Sequence, residues 1–160
     1  MKNLLILLVI YGTIIKLNAQ NISKKDSLLI VEKVDDWNTA WKTKDANLAA
    51  KWYSEDADFT NAFGFSMIGK TAINTYLSRV FKMDFVMSGN SEQTSLKLKH
   101  ISNNTILVIS TISRKGQKLN DESDLGPRRT THHRLFQKLD DWKIIAHLIS
   151  DARSIETNKH

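Results

Sequence analysis

From Ser23 onward the apolar residues Ile30, Val34, Trp37 and Trp41 recur three or four positions apart. That spacing marks one face of an α-helix. Lys33, Asp35 and Asp36 fall off the stripe, and Ser23 or Asp26 offers an oxygen to the free N–H groups of the first turn. The pattern predicts a helix ending near Lys44. Asp45 is placed to cap a second helix, Ala46 to Tyr53, with Leu48, Ala49 and Trp52 on its inner face. The acidic run from Glu55 to Asp58 ends it. Phe59 to Phe63 then predicts a short strand turning at Gly64, and Met67 to Gly69 a second extended piece. A third helix starts at Gly69 or Thr71, with Ile73, Tyr76, Leu77 and Val80 on its buried side.

After Phe81 the period changes to two. Leu96 and Leu98 alternate with Lys97 and Lys99, and Asn103-Asn104 is a turn signal. Thr105 to Ser113 is rich in β-branched residues and predicts a central strand. Residues 114–127 read as a long polar connection. Arg128 to Lys138 and Trp142 to Ile149 predict two further strands around an Asp140-Asp141 turn. Helices followed by a run of antiparallel strands define an α+β architecture. A curved sheet folded over the first helix leaves an open concave end, the usual place for a small-molecule site.

The first 19 residues have a different pattern. Lys2 precedes an apolar run from Leu4 to Ile15, and Ala19 is a small residue suited to the position before a cleavage. This is the pattern of a signal peptide. The run is shorter than the roughly 20 residues of a spanning helix, and Lys16 interrupts it. The expected organisation is a signal peptide over 1–19 and a single domain over 20–160. Export from a bacterial cell, to the periplasm or beyond, follows, with no membrane anchor left after cleavage.

Composition narrows the chemistry. With 41% hydrophobic and 25% charged residues, the chain is neither disordered nor of low complexity. It has no cysteine, which removes disulfides, thiolate metal sites and cysteine nucleophiles together. The basic balance, a net charge of +6, points toward nucleic acid, but the Lys and Arg residues are scattered and form no nucleic-acid motif. Nucleic acid is therefore not an expected partner. No Gly-rich phosphate loop and no Gly-x-Ser-x-Gly elbow is present.

Several segments together resemble a known family. Trp41, Asp45-Ala46-Asn47-Leu48-Ala49, the stretch Tyr53 to Phe59, Asn61-Ala62-Phe63-Gly64, Gly69 and Ile73 follow in an order similar to the SnoaL-like branch of the nuclear transport factor 2-like superfamily. Asp141-Trp142-Lys143-Ile144-Ile145-Ala146-His147 resembles that family's last strand. The likeness spans about residues 26–152. It implies a cystatin-like cone, with helices in the concave face of a strongly curved, mostly antiparallel sheet. It also implies a pocket at the open end and a homodimer paired through the sheet. Ketosteroid isomerases of this fold use a carboxylate base, a tyrosine on the first helix and a protonated acid on a late strand. The matching positions here hold Asn61, Trp37 and either His132 or His133. An amide takes no proton at neutral pH and an indole does not titrate, so steroid isomerase chemistry is disfavoured.

The polar and aromatic groups expected near the cavity are then few. His147 and His133 are the candidate acid–base residues, with Asp58 to orient one of them. His132 and His133 are strand neighbours and point to opposite faces, so at most one enters the pocket. Trp37, Trp41, Tyr53 and Asn61 are expected to line it, and Arg129 to bind an acidic group by its planar fork. No metal and no cofactor is expected. The reading is an exported pocket protein for a small apolar or weakly acidic molecule. The alternatives are a cofactor-independent isomerase, dehydratase or hydrolase-like enzyme using a pocket histidine, and a homodimeric assembly domain. The residues alone do not make the chain an enzyme.

Overall fold

A computed structural model describes residues 23–118, 121, 123, 124 and 126–152. The expected signal peptide lies outside them. Helix α1 spans Lys24–Thr43. The Ser23 hydroxyl accepts the Asp26 N–H at 3.0 Å and caps it. The helix ends at Lys44, whose left-handed φ of 57° turns its N–H back to the Ala40 carbonyl. Helix α2 covers only Ala46–Ala50, capped by Asp45 through the Leu48 N–H. It is shorter than its sequence pattern because the sheet captures the next residues. The Trp52 carbonyl accepts the Ile144 N–H, and Tyr53 already pairs with Ile144.

Strand β1 runs Tyr53–Thr60, β2 Ser66–Ile68, helix α3 Lys70–Val80 and the single turn α4 Asp84–Met87. Strands β3 (Asn90–Ser102), β4 (Thr105–Lys115), β5 (Arg128–Lys138) and β6 (Trp142–Ala152) follow. They form one six-stranded sheet in the order β2-β1-β6-β5-β4-β3. Every neighbouring pair is antiparallel except β1 and β6, which run parallel. The acidic run Glu55 to Asp58 lies inside β1. Its carboxylates face solvent while Ala57 and Phe59 face the core. Arg114, expected to open the polar connection, is the penultimate residue of β4 and is buried.

The core fills the space between α1, α3 and the inner face of the sheet. Ile30, Val34, Trp37 and Ala40 from α1 meet Ile73 and Leu77 from α3, and Ile106, Val108, Phe136 and Ile144 from the strands. Each large apolar side chain buried this way contributes roughly 1.5–3 kcal/mol. Two polar ties seat α1. Asp26 accepts the Trp142 indole N–H at 2.7 Å and the Lys138 ammonium at 3.0 Å. Those bonds, the Trp142 one foremost, hold its carboxyl down to about 2. Lys33, read as lying off the apolar stripe, is buried. Its stem crosses the core edge so that Nζ reaches Asp141 at 2.8 Å and the Trp52 ring face at 3.2 Å.

The loop that crosses the open end depends on Gly89. Its φ is +73°, and a Cβ there would stand 2.2 Å from the Lys115 carbonyl oxygen. Gly89→Ala is expected to cost about 1–3 kcal/mol of stability in urea unfolding. An unchanged midpoint would contradict this close approach of the loop to β4.

Candidate functional site

Alternation along β4 and β5 aims one residue in two at the inside of the cone. These are Ser110, Ile112 and Arg114 on β4, and Thr130, His132 and Arg134 on β5. On β6 the alternation is reset. Leu135 pairs with Ala146 but Phe136 pairs with Ile144, so Ile145 is an extra residue. This bulge changes the parity of the strand. Trp142 and Ile144 face inward before it, and His147, Ile149 and Asp151 after it. Without it, Ala146 and Leu148 would take the inner positions and His147 would face out.

The inward polar groups form one connected strip. The Tyr53 hydroxyl meets His147 Nδ1, and His147 Nε2 lies 3.0 Å from His132 Nδ1. An Arg134 Nη also reaches His132 Nδ1, at 3.1 Å, and its other Nη donates to the Ser110 hydroxyl at 2.8 Å. An arginine only donates. That fixes every tautomer in the strip. His132 Nδ1 is an acceptor, so His147 donates from Nε2, and the Tyr53 O–H donates to His147 Nδ1. His132 then carries its proton on Nε2, beside the Thr130 hydroxyl at 3.3 Å. Both imidazoles are neutral. Burial, and next the Arg134 charge, holds both well below their ordinary value. Burial pushes the Tyr53 phenol up. Arg134 is completely buried and pushed down by burial to about 10, so it stays cationic at neutral pH. Trp37 covers this strip, with its ring 5.1 Å from that of His147, 6.2 Å from that of His132 and 5.3 Å from the Arg134 guanidinium.

Nearer the mouth, Arg114 lies 4.1 Å over the Trp41 ring. Burial first, and then the neighbouring Arg128 charge, lowers it to about 10, while Asp151 opposes that shift. Arg128 and Asp151 face each other at 3.8 Å. Three cavities of about 290, 150 and 60 Å³ meet here, each bordered by both Trp41 and Arg114. The smallest is the most apolar, lying between Phe59, Tyr76, Leu77, Val80 and Ile149. Val86 on α4 stands at the mouth.

The expected residues divide sharply. Trp37, Trp41, Asn61 and His132 border the cavities, while Tyr53 and His147 sit beneath them in the buried strip. Asn61 is already committed. Its carbonyl accepts the Phe63 and Phe65 N–H groups and its amide donates to the Tyr76 hydroxyl, so it clamps the β1–β2 turn. Three expectations are corrected. His133 pairs in register with Ile109 and Leu148 on the outer face, so it cannot serve the pocket. Asp58 is exposed on β1, and His147 is held by Tyr53 and His132 instead of by a carboxylate. Arg129 is exposed, and its neighbours Arg128 and Arg134 with Arg114 are the inward guanidinium groups. Among the described residues no three His, Asp or Glu side chains converge as a metal site requires. Arg114, Arg134 and Thr130 were not singled out as pocket residues from the sequence. For Thr130 and Arg134 the signal was the parity they share with His132, once that histidine faced in; Arg114, on β4, carried no such signal.

No family model matches the chain, and no curated protein matches it. Solved structures do. An uncharacterised protein with a cystatin-like fold from Caulobacter vibrioides superposes with a TM-score of 0.72 at 15% identity, over 81% of this chain and 91% of that one. An NTF2-like protein of unknown function from Pseudomonas putida gives 0.69 at 17% identity, over 87% and 95%. A ketosteroid isomerase-like protein from Erwinia carotovora gives 0.65 at 13% identity, over 82% and 100%. The chain therefore has the cystatin-like cone fold of NTF2-like proteins, an α+β fold with a curved, mostly antiparallel sheet.

The buried imidazoles make stability depend on pH. Their folded values lie below the ordinary 6.5, so the unfolded chain binds these protons more readily. Stability is full above about 6.5 and falls as the pH drops below it. Urea unfolding from pH 7 to 5 is expected to show this loss, and His147→Gln to reduce its slope by about half. A flat profile in the wild type would contradict the neutral pair.

Proposed function

We propose that this chain is an exported small-molecule binding protein of the SnoaL-like type, and that its pocket is the junction bordered by Trp41 and Arg114. The observation that carries this reading is the convergence of three cavities on one aromatic–cation pair at the open end of the cone. Binding is favoured over acid–base catalysis because, among the described residues, no carboxylate partners the inward histidines, which are held neutral in a chain of hydrogen bonds. The fold neighbours support a pocket protein, and at their low identity they carry no ligand over to this chain. The outer face supports the homodimer. Ile109 and Leu135 lie with Leu148, half exposed, on the central strands opposite the cavity.

Two experiments test this reading. Titration of the chain from Gln20 with single-ring aromatic compounds, acidic and neutral, is expected to change tryptophan emission for at least one of them. Val86→Trp, which plugs the mouth, is expected to abolish that change while leaving the unfolding free energy within about 0.5 kcal/mol. Binding that survives the plug would move the site elsewhere. Separately, the full chain produced in a bacterial host is expected in the periplasm or medium, beginning at Gln20. Recovery only from the cytoplasm with the leader attached would overturn the export reading.

A further inference from the structure

Among the described residues, three guanidinium groups, Arg114, Arg128 and Arg134, share the inside of the cone with one carboxylate, Asp151. Burying a cation without a counter-charge is costly, and arginine does not escape the cost by losing its proton. Arg134 meets the cost with neutral acceptors, Ser110 and His132, and with the face of Trp37. Arg128 has Asp151. Arg114 has a stacking face on Trp41 and feels the Asp151 charge through space, but forms no salt bridge among the described residues; its buried Nε, like those of Arg128 and Arg134, has no hydrogen-bond partner. It is 7% exposed, and it borders all three cavities. An excess of positive charge is thus held at the point where the cavities meet.

Resting on the pocket reading above, we infer that the ligand is a small organic carboxylate whose head is gripped by Arg114. A guanidinium stacked on an indole keeps its planar edge free for two parallel hydrogen bonds to a carboxylate. Asp151, close by, repels a doubly charged head such as phosphate at neutral pH and so selects a single negative charge. The body of the ligand lies against Trp37, Trp41 and Ile112, the apolar part of a wall that is otherwise polar. A cavity of about 150 Å³ holds one benzene ring, so the lobe of that volume between Trp37 and Ile112 takes one ring or a short aliphatic chain. At the rim, Lys42 adds to the attraction and Glu92 opposes it.

The test pairs acids with their neutral isosteres on the unaltered chain: benzoate against benzamide and butyrate against butyramide, with inorganic phosphate as a third probe. Tryptophan emission and the unfolding midpoint are both followed. The acids are expected to bind about 10- to 100-fold more tightly than the amides, the range of a charge-assisted hydrogen bond. Arg114→Gln is expected to erase that preference, Arg114→Lys to keep part of it, and Asp151→Asn to tighten acid binding. Equal binding of acids and amides would overturn the carboxylate assignment and leave the pocket reading standing. Phosphate outcompeting benzoate would overturn it in favour of a dianion. Silence from every probe, neutral ones included, would overturn both. If Arg114→Gln fails to fold, the acid–amide comparison and Asp151→Asn still decide.

Discussion

Trp37 is the contact on which the inside of this molecule depends. It sits in the C-terminal half of α1, against the concave sheet, and its ring approaches those of Trp41, Tyr53, Phe59, His132 and His147. Its other neighbour is the Arg134 guanidinium. A single indole therefore joins the apolar core to the polar strip that runs up the sheet. Its faces accept the cation electrostatically and its edges pack among the other rings. A smaller residue here would leave the strip unsupported and the helix without its wedge.

The polar strip follows a strict logic of donors and acceptors. One obligate donor, Arg134, settles the proton positions on two imidazoles and a phenol. The strip pairs both imidazoles, the phenol and both Arg134 Nη groups, leaves the Arg134 Nε without a partner, and is electrically one-sided. Such networks specify a single arrangement because any broken link leaves a buried polar group without water. The same arrangement commits His132 in the cavity wall, and His147 and Tyr53 beneath it, to one chain of hydrogen bonds. They are spent on holding a cation in place. What the cone presents to its opening is positive charge on an aromatic bed.

Much of this was legible in the chain. The stripe of Ile30, Val34, Trp37 and Trp41 gave α1 because helical periodicity survives any tertiary context that buries one face. The cone followed from the order of helices and strands together with the family resemblance. The boundary between α2 and β1 was not legible, because the pairing of Tyr53 with Ile144 overrides a locally helical pattern. Lys33 was misplaced because a long side chain buries its stem while reaching for a carboxylate. The choice among Arg128, Arg129 and Arg134, and between His132 and His133, hung on parity. Adjacent strand residues announce that they face opposite ways, but only the neighbouring strand decides which way. The bulge at Ile145 was invisible for the same reason. It is a property of the register with β5, not of Ile145 itself.

The parallel pairing of β1 with β6 has a consequence for how the sheet is assembled. In the order β2-β1-β6-β5-β4-β3, the last strand to be synthesised lies between the first hairpin and the other three strands. Until it exists, the sheet is two fragments with exposed edges, and α1 has only part of its concave bed. The contacts that join Tyr53 to Ile144 and Phe59 to His147 bridge most of the domain's length. Such non-local closure slows folding. The cone thus closes only when β6 is present to join the two fragments, and a chain cut before Trp142 would lack the strand that unites them.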